Sequence, residues 1–217
     1  MVYAGKVEGD AVTLGVSGRL LEGNLIMWDS ETNSLWSQIS GEALHGDQSG
    51  KHLELVPSVF VDFGTWKKLH PKTQVLDLPP IERTAWHFTS HHMKSGKNER
   101  AEPLGIGARA WGDSVMVSIA RLQREGVVQA DVSEVPVAFV WDRRSSSALV
   151  YDRRLDGQVL DLAFKDGALV TKGGQRFDPV SGKTLEAEQT VRLKRFSYLP
   201  SVIKAWEEFF PGGKILQ

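Results

Sequence analysis

Short β-type apolar runs dominate the chain, and Gly and Asp/Asn/Ser clusters punctuate them. Runs bounded in this way predict short strands and hairpins. Residues 12–16, 24–28 and 35–39 read as strands joined by tight turns. Leu53 and Leu55 alternate with polar neighbours and predict another. Residues 105–111 and 114–119 predict a hairpin turning at Gly112-Asp113, and 135–141 and 148–152 predict two further strands. The period changes at three places. Phe63, Trp66 and Leu69 fall on one helical face, and Pro71 stops that helix. Residues 119–125 form a short helical stretch before Gly126. Val202, Ala205, Trp206 and Phe209 make a third face, with Ser201 as the expected cap and Pro211 as the stop.

The pattern of one third of the chain returns in another. Gly9, Val12 and Leu14, then Val16-Ser17-Gly18, Met27-Trp28-Asp29 and Thr32, are echoed by Gly157, Leu160 and Leu162, then Gly167, Arg176-Phe177-Asp178 and Ser181. Thr65-Trp66 with His70-Pro71 and Val75-Leu76 is echoed by Ala205-Trp206 with Phe210-Pro211 and Ile215-Leu216. A repeat of this length predicts two related units packed as one pseudo-symmetric body. The expected fold class is therefore α+β and β-rich, with short antiparallel strands and a C-terminal helix closing each unit. Unit one spans residues 1–76 and unit two 105–217. Residues 77–104, with Pro79-Pro80, Ser95-Gly96 and Glu102-Pro103, read as a polar connector. Matching Asp29 to Asp178 leaves unit two with a shortened counterpart of the Trp36-Ser37-Gln38 segment.

Charge and composition remove function classes. Lys and Arg number 26 against 27 Asp and Glu, a net charge of −1. No basic field suits nucleic acid or an anionic membrane. No apolar run approaches the ~20 residues that cross a bilayer as a helix. The chain has no cysteine, which excludes disulfides and thiol nucleophiles in it. No signal-peptide plan stands at Met1. The chain is cytoplasmic if Met1 is the genuine start, and export fits if a further segment precedes it.

Several clusters carry candidate chemistry. Asp29, Thr32 and Ser34 gather oxygen ligands suited to a cation or polar ligand; the alternative is a hairpin turn whose side chains bond the backbone. Trp36, Ser37 and Gln38, in a segment running to Glu42, place an aromatic beside an amide and a hydroxyl, as a polar pocket would; the alternative for Trp36 is a core position. His87, His91 and His92 form a histidine cluster in which His87 and His91 could share a metal. No third ligand stands at a diagnostic spacing, and the alternative is an exposed loop. Ser17 lacks the second Gly of a nucleophile elbow, since residue 19 is Arg. Gly105-x-Gly107 lacks the third Gly of a dinucleotide loop. No cofactor is implied.

The strings Gly15-Val16-Ser17-Gly18, Asn24-Leu25-Ile26-Met27-Trp28-Asp29, Thr32-x-Ser34-Leu35-Trp36-Ser37-Gln38 and Gly41-Glu42-Ala43, closed by Thr65-Trp66 and His70-Pro71, resemble the signature of domain-of-unknown-function family 3179. The resemblance covers nearly the whole chain. Members carry a Cys-Pro-x-Cys motif, in some cases with selenocysteine, which implies redox chemistry for them. Here Asp142 and Ser145 stand where that pair would be in unit two, and neither exchanges disulfides. In unit one the motif would lie upstream of Met1. Two explanations stand open: a selenocysteine codon read as a stop, or a shorter homologue that lost the segment.

Two functions follow as expectations. One is a non-catalytic binding or structural module with a small polar ligand near Trp36 and Gln38. The alternative is a fragment of a thiol or selenol oxidoreductase whose redox motif lies upstream of Met1. A unit lacking its leading strands would leave a hydrophobic sheet edge near residues 12–16, open or covered by a second copy or another partner.

Overall fold

The computed structural model describes residues 2–75, 104–186 and 191–217. The first stretch carries β1 (Lys6–Val7), β2 (Asp10–Ala11), β3 (Leu14–Leu21), β4 (Asn24–Asp29), β5 (Leu35–Ser37), β6 (Ala43–His45) and α1 (Phe63–Leu69). Next come β7 (Leu104–Ala110), β8 (Asp113–Ser118), α2 (Ile119–Glu125), β9 (Val127–Val132), β10 (Val135–Asp142), β11 (Ser147–Asp152), β12 (Arg154–Leu155), β13 (Gln158–Val159), β14 (Leu162–Lys165), β15 (Ala168–Thr171) and β16 (Arg176–Phe177). The remainder forms β17 (Lys194–Arg195), β18 (Tyr198–Val202), α3 (Ile203–Phe209) and β19 (Lys214–Leu216). The molecule is β-rich, as the short punctuated runs predict, with several antiparallel sheets.

Among the described residues three sheets have four strands: β3-β4-β5-β6, β17-β11-β10-β9 and β18-β7-β8-β19. All their pairings are antiparallel except β19 with β8, which run parallel. A three-stranded sheet, β14-β15-β16, and the small hairpins β1-β2 and β12-β13 complete the set. Leu53 and Leu55 do not form a strand. Leu55 makes an isolated bridge to Tyr3, and His52 one to Glu42.

The helices occupy the predicted stretches, with differences at their ends. The Ser118 hydroxyl caps α2 by accepting from Arg121 N–H, and Gly126, at φ +77°, ends it. Asp62 caps α1. Ser201 does not cap α3: its hydroxyl donates to the Val202 carbonyl, and Val202 itself is the uncapped N-terminal residue. Amphipathic faces also differ. α3 buries Ile203 and Trp206, whereas α1 buries none of its side chains and leaves Phe63 exposed.

Four apolar clusters hold the body together. The largest lies between the β7-β8 and β9-β10-β11 sheets, around Val117, Leu122, Val137 and Phe139. Another surrounds Tyr151, Leu169 and Phe177. Trp36 centres a third with Val7, Ala43 and Leu53. The fourth joins the two ends of the chain, because Ile39 packs with Met116, Leu199, Ile203 and Trp206. Hydrogen bonds cross the same seam: Phe60 N–H donates to the Tyr198 hydroxyl (3.2 Å), and the Ser197 hydroxyl to the Leu55 carbonyl (3.3 Å).

β3 is an edge strand with β4 as its neighbour. Val16 and Leu20 on it are largely exposed, so the expected apolar edge is present over β3. A register shift between Val16 and Arg19 breaks its pairing.

Candidate functional site

The six ligand residues expected from the sequence do not share one cavity. Four of them form a hydrogen-bonded knot. The Asp29 carboxylate accepts from Thr32 N–H, from the Thr32 hydroxyl at 2.8 Å and from the Trp36 indole N–H at 2.8 Å. The Thr32 and Ser34 hydroxyls lie 2.7 Å apart, and Ser34 accepts from Gln48 N–H. Asp29, Ser34 and Trp36 are buried. Burial works to raise the Asp29 pKa, and the bonds from Trp36, Thr32 and Ser34 outweigh it, so the carboxyl titrates below its ordinary value. Gly46 presses against Ser34 so closely that a Cβ there would lie 2.6 Å from the Ser34 hydroxyl. The knot ties together the turn between β4 and β5. Gln38 and Glu42 instead face two different clefts.

Asp142 and Ser145 lie together in the turn between β10 and β11. The Ser145 hydroxyl donates to the Asp142 carboxylate at 2.6 Å, and Ser145 N–H adds a second bond at 3.2 Å. Both are buried, and Arg144 covers the Asp142 carboxylate while its guanidinium reaches the Gly167 carbonyl. His87, His91 and His92 lie outside the described residues. Among the described residues no group of three or more His, Asp or Glu converges as a metal site would. The Ser17 hydroxyl is tied to the Ile26 carbonyl.

The Gln38 cleft measures about 720 Å³ and is walled mainly by apolar side chains, among them Ile106, Ile119, Trp141 and Tyr198. The Glu42 cleft measures about 490 Å³ and is polar, lined by Ser40, Glu42, His52, Arg109, Trp111 and Phe210. Arg109 enters it from β7, a strand otherwise made of Gly, Ala, Ile and Leu. Its guanidinium donates to the Ser40 carbonyl at 2.7 Å and lies 5.0 Å over the Phe210 ring. Among the described residues it makes no ion pair. Burial pulls its pKa down, while Tyr3 and Glu42 pull it back up; a guanidinium stays charged in either case. Its positive charge works against the burial that pushes Tyr3 up to about 12.

The rim of this cleft is built by the β7-β8 turn. Trp111 and Gly112 sit at φ +45° and +87°, the left-handed pair that a two-residue hairpin turn needs. Glycine adopts this freely, but a bulky side chain does so at a cost. Trp111 is also 78% exposed. Sequence reading did not single out Arg109, His52 or Trp111. The available signal was a lone cation inside an apolar strand, followed by an aromatic at a tight turn.

A family model described as "Protein of unknown function (DUF3179)" matches residues 1–213 of the chain. The chain belongs to this family. Comparison with curated proteins and with solved structures gives no match. DUF3179 membership brings no assigned activity, so a function for the cleft has to come from its own chemistry.

Proposed function

We propose that this DUF3179 chain is a non-catalytic binding module of two related units, residues 1–76 and 105–217, taking a small polar ligand in the Arg109 cleft. One observation carries the reading. Among the described residues, a half-buried guanidinium lines an open cleft with a single hydrogen bond and no carboxylate ion pair. Taking a charge out of water is costly unless something compensates it, and an incoming anionic group would do so. Phe210 beneath the guanidinium and the Ser40 carbonyl beside it fix its plane, as bidentate recognition requires.

Paired contacts support the two-unit reading. The Tyr3 hydroxyl donates to the Gln38 carbonyl (2.7 Å), and that of Tyr151 to the Pro179 carbonyl (2.9 Å). Gly41 and Gly182 share φ +71° and pack against those same tyrosine rings. Leu53 N–H bonds the Gly41 carbonyl (2.8 Å), as Leu193 N–H bonds that of Gly182 (2.9 Å). In this register Asp178 matches Ser37 rather than Asp29. Phe177–Gly182 then answers Trp36–Gly41 at full length, and the segment near Trp36 is not shortened in unit two. Under this reading the cleft lies where Ser40, Glu42 and His52 of unit one meet Arg109 and Trp111 of unit two.

Isothermal titration calorimetry of the full chain against acetate, phosphate, hydrocinnamate and L-phenylalanine tests the cleft. Arg109→Lys keeps the charge but removes the planar fork. We expect at least one compound to bind and Arg109→Lys to weaken it by about tenfold or more. Binding indifferent to that change, no binding at all, or turnover of any of the compounds would overturn the reading.

A further inference from the structure

We infer that the ligand of this cleft is a zwitterion, a free α-amino acid with an apolar side chain; the inference rests on the binding reading above. The cleft carries both signs of charge. Arg109 supplies the cation, and Glu42 supplies a carboxylate on the same lining. The two are close enough for Glu42 to act on the Arg109 pKa, yet they form no ion pair. Among the described residues the Glu42 carboxylate has no hydrogen bond either. Two opposite charges therefore line one cavity, each without an ion-pair partner among the described residues. Asp113 adds a second carboxylate to the same lining.

That arrangement discriminates between ligand classes. A phosphate or dicarboxylate would gain Arg109 but meet Glu42 and Asp113 as like charges, which is unfavourable at close range. A simple amine would meet Arg109 in the same way. A molecule with a carboxylate and an ammonium on the same carbon satisfies both, the carboxylate on the guanidinium fork and the ammonium on Glu42. The remaining wall accounts for the apolar side chain. Ala110, Trp111, Phe209 and Phe210 line the cleft beside the charges, and an exposed indole offers a face on which an apolar group loses water. The volume of about 490 Å³ lies within the range of small-molecule sites.

The test compares L-phenylalanine with hydrocinnamate, which lacks the ammonium, and with phenethylamine, which lacks the carboxylate. Calorimetry is run on the full chain, on Glu42→Gln and on Arg109→Lys, with thermal unfolding of each to establish that it folds. We expect L-phenylalanine to bind about tenfold or more tightly than either analogue. Glu42→Gln should remove that advantage over hydrocinnamate while leaving hydrocinnamate binding unchanged or tighter. Arg109→Lys should weaken both carboxylates. If hydrocinnamate or phosphate binds as well as L-phenylalanine and Glu42→Gln changes neither, the zwitterion inference fails while the anion-binding cleft stands. If no compound shows binding that depends on Arg109, both fail together.

Discussion

Asp29 shows how a chemistry-rich residue becomes structural. Its carboxylate is removed from water and given the Thr32 amide, the Thr32 hydroxyl and the Trp36 indole as donors. Hydrogen bonds to a charged acceptor are among the stronger ones, at roughly 1.5–3 kcal/mol. Asp29→Asn cannot accept all three without turning an amide N–H toward a donor. We expect it to cost about 1–3 kcal/mol at neutral pH in urea unfolding. The pH dependence has a definite sign. The folded Asp29 pKa lies below its unfolded value, so its contribution is present above the ordinary carboxylate range, and it is lost as pH falls through the folded pKa. Wild-type stability should therefore drop below about pH 4, and the drop should be shallower in Asp29→Asn. Equal acid limbs for the two would contradict this. Trp66 and Trp206 show a different contrast. The Trp66 N–H reaches the Thr73 hydroxyl, whereas the buried Trp206 N–H has no partner among the described residues.

At the scale of elements, the caps decide which short helices stand on their own. α2 has a serine at its start and a left-handed glycine at its end, while α3 begins at an uncapped valine and relies on burying Ile203 and Trp206. Ser118→Ala should cost about 1 kcal/mol, read as a lower urea midpoint with an unchanged slope; no change in midpoint would mean that packing alone holds α2. This level was largely legible beforehand. The i, i+3, i+6 spacing of Phe63, Trp66 and Leu69 and the apolar runs of β4 and β10 are local properties of the sequence. Ser201 was misread as a cap because a serine before an apolar run signals one, yet here its hydroxyl is turned back to the Val202 carbonyl. Arg109 was legible only as a lone cation in an apolar strand. Its importance comes from Ser40 and Glu42, which are far away in sequence and brought near by tertiary packing. The exposed β3 edge was expected, but the bulge at Ser17-Gly18 was not. A bulge twists an edge and interrupts its row of bonding groups, which works against strand addition there.

At the scale of the whole molecule, the seam between residues 2–75 and the rest is held, among the described residues, by a few polar contacts and by apolar packing around Ile39 and around Val59 and Val61. Tyr198 is central to it. Its hydroxyl donates to the Ala148 carbonyl at 2.6 Å and accepts from Phe60 N–H at 3.2 Å. Tyr198→Phe strands both partners and should cost about 1–3 kcal/mol. Because Ile39 packs directly with Met116, Leu199 and Trp206, we expect the loss to shift one transition seen identically by tryptophan fluorescence and far-ultraviolet dichroism. Two separated transitions would mean that the stretches unfold independently. The parallel β8–β19 pair bears on how the molecule is made. β8 leaves the ribosome about a hundred residues ahead of the strand that pairs with its outer side, an interval on the order of ten seconds at synthesis rates of about 5–20 residues per second. Until then an apolar run containing Val115, Met116 and Val117 has an open flank on the nascent chain. That flank is where a holding chaperone would engage, and where newly made copies would stick to one another under rapid expression.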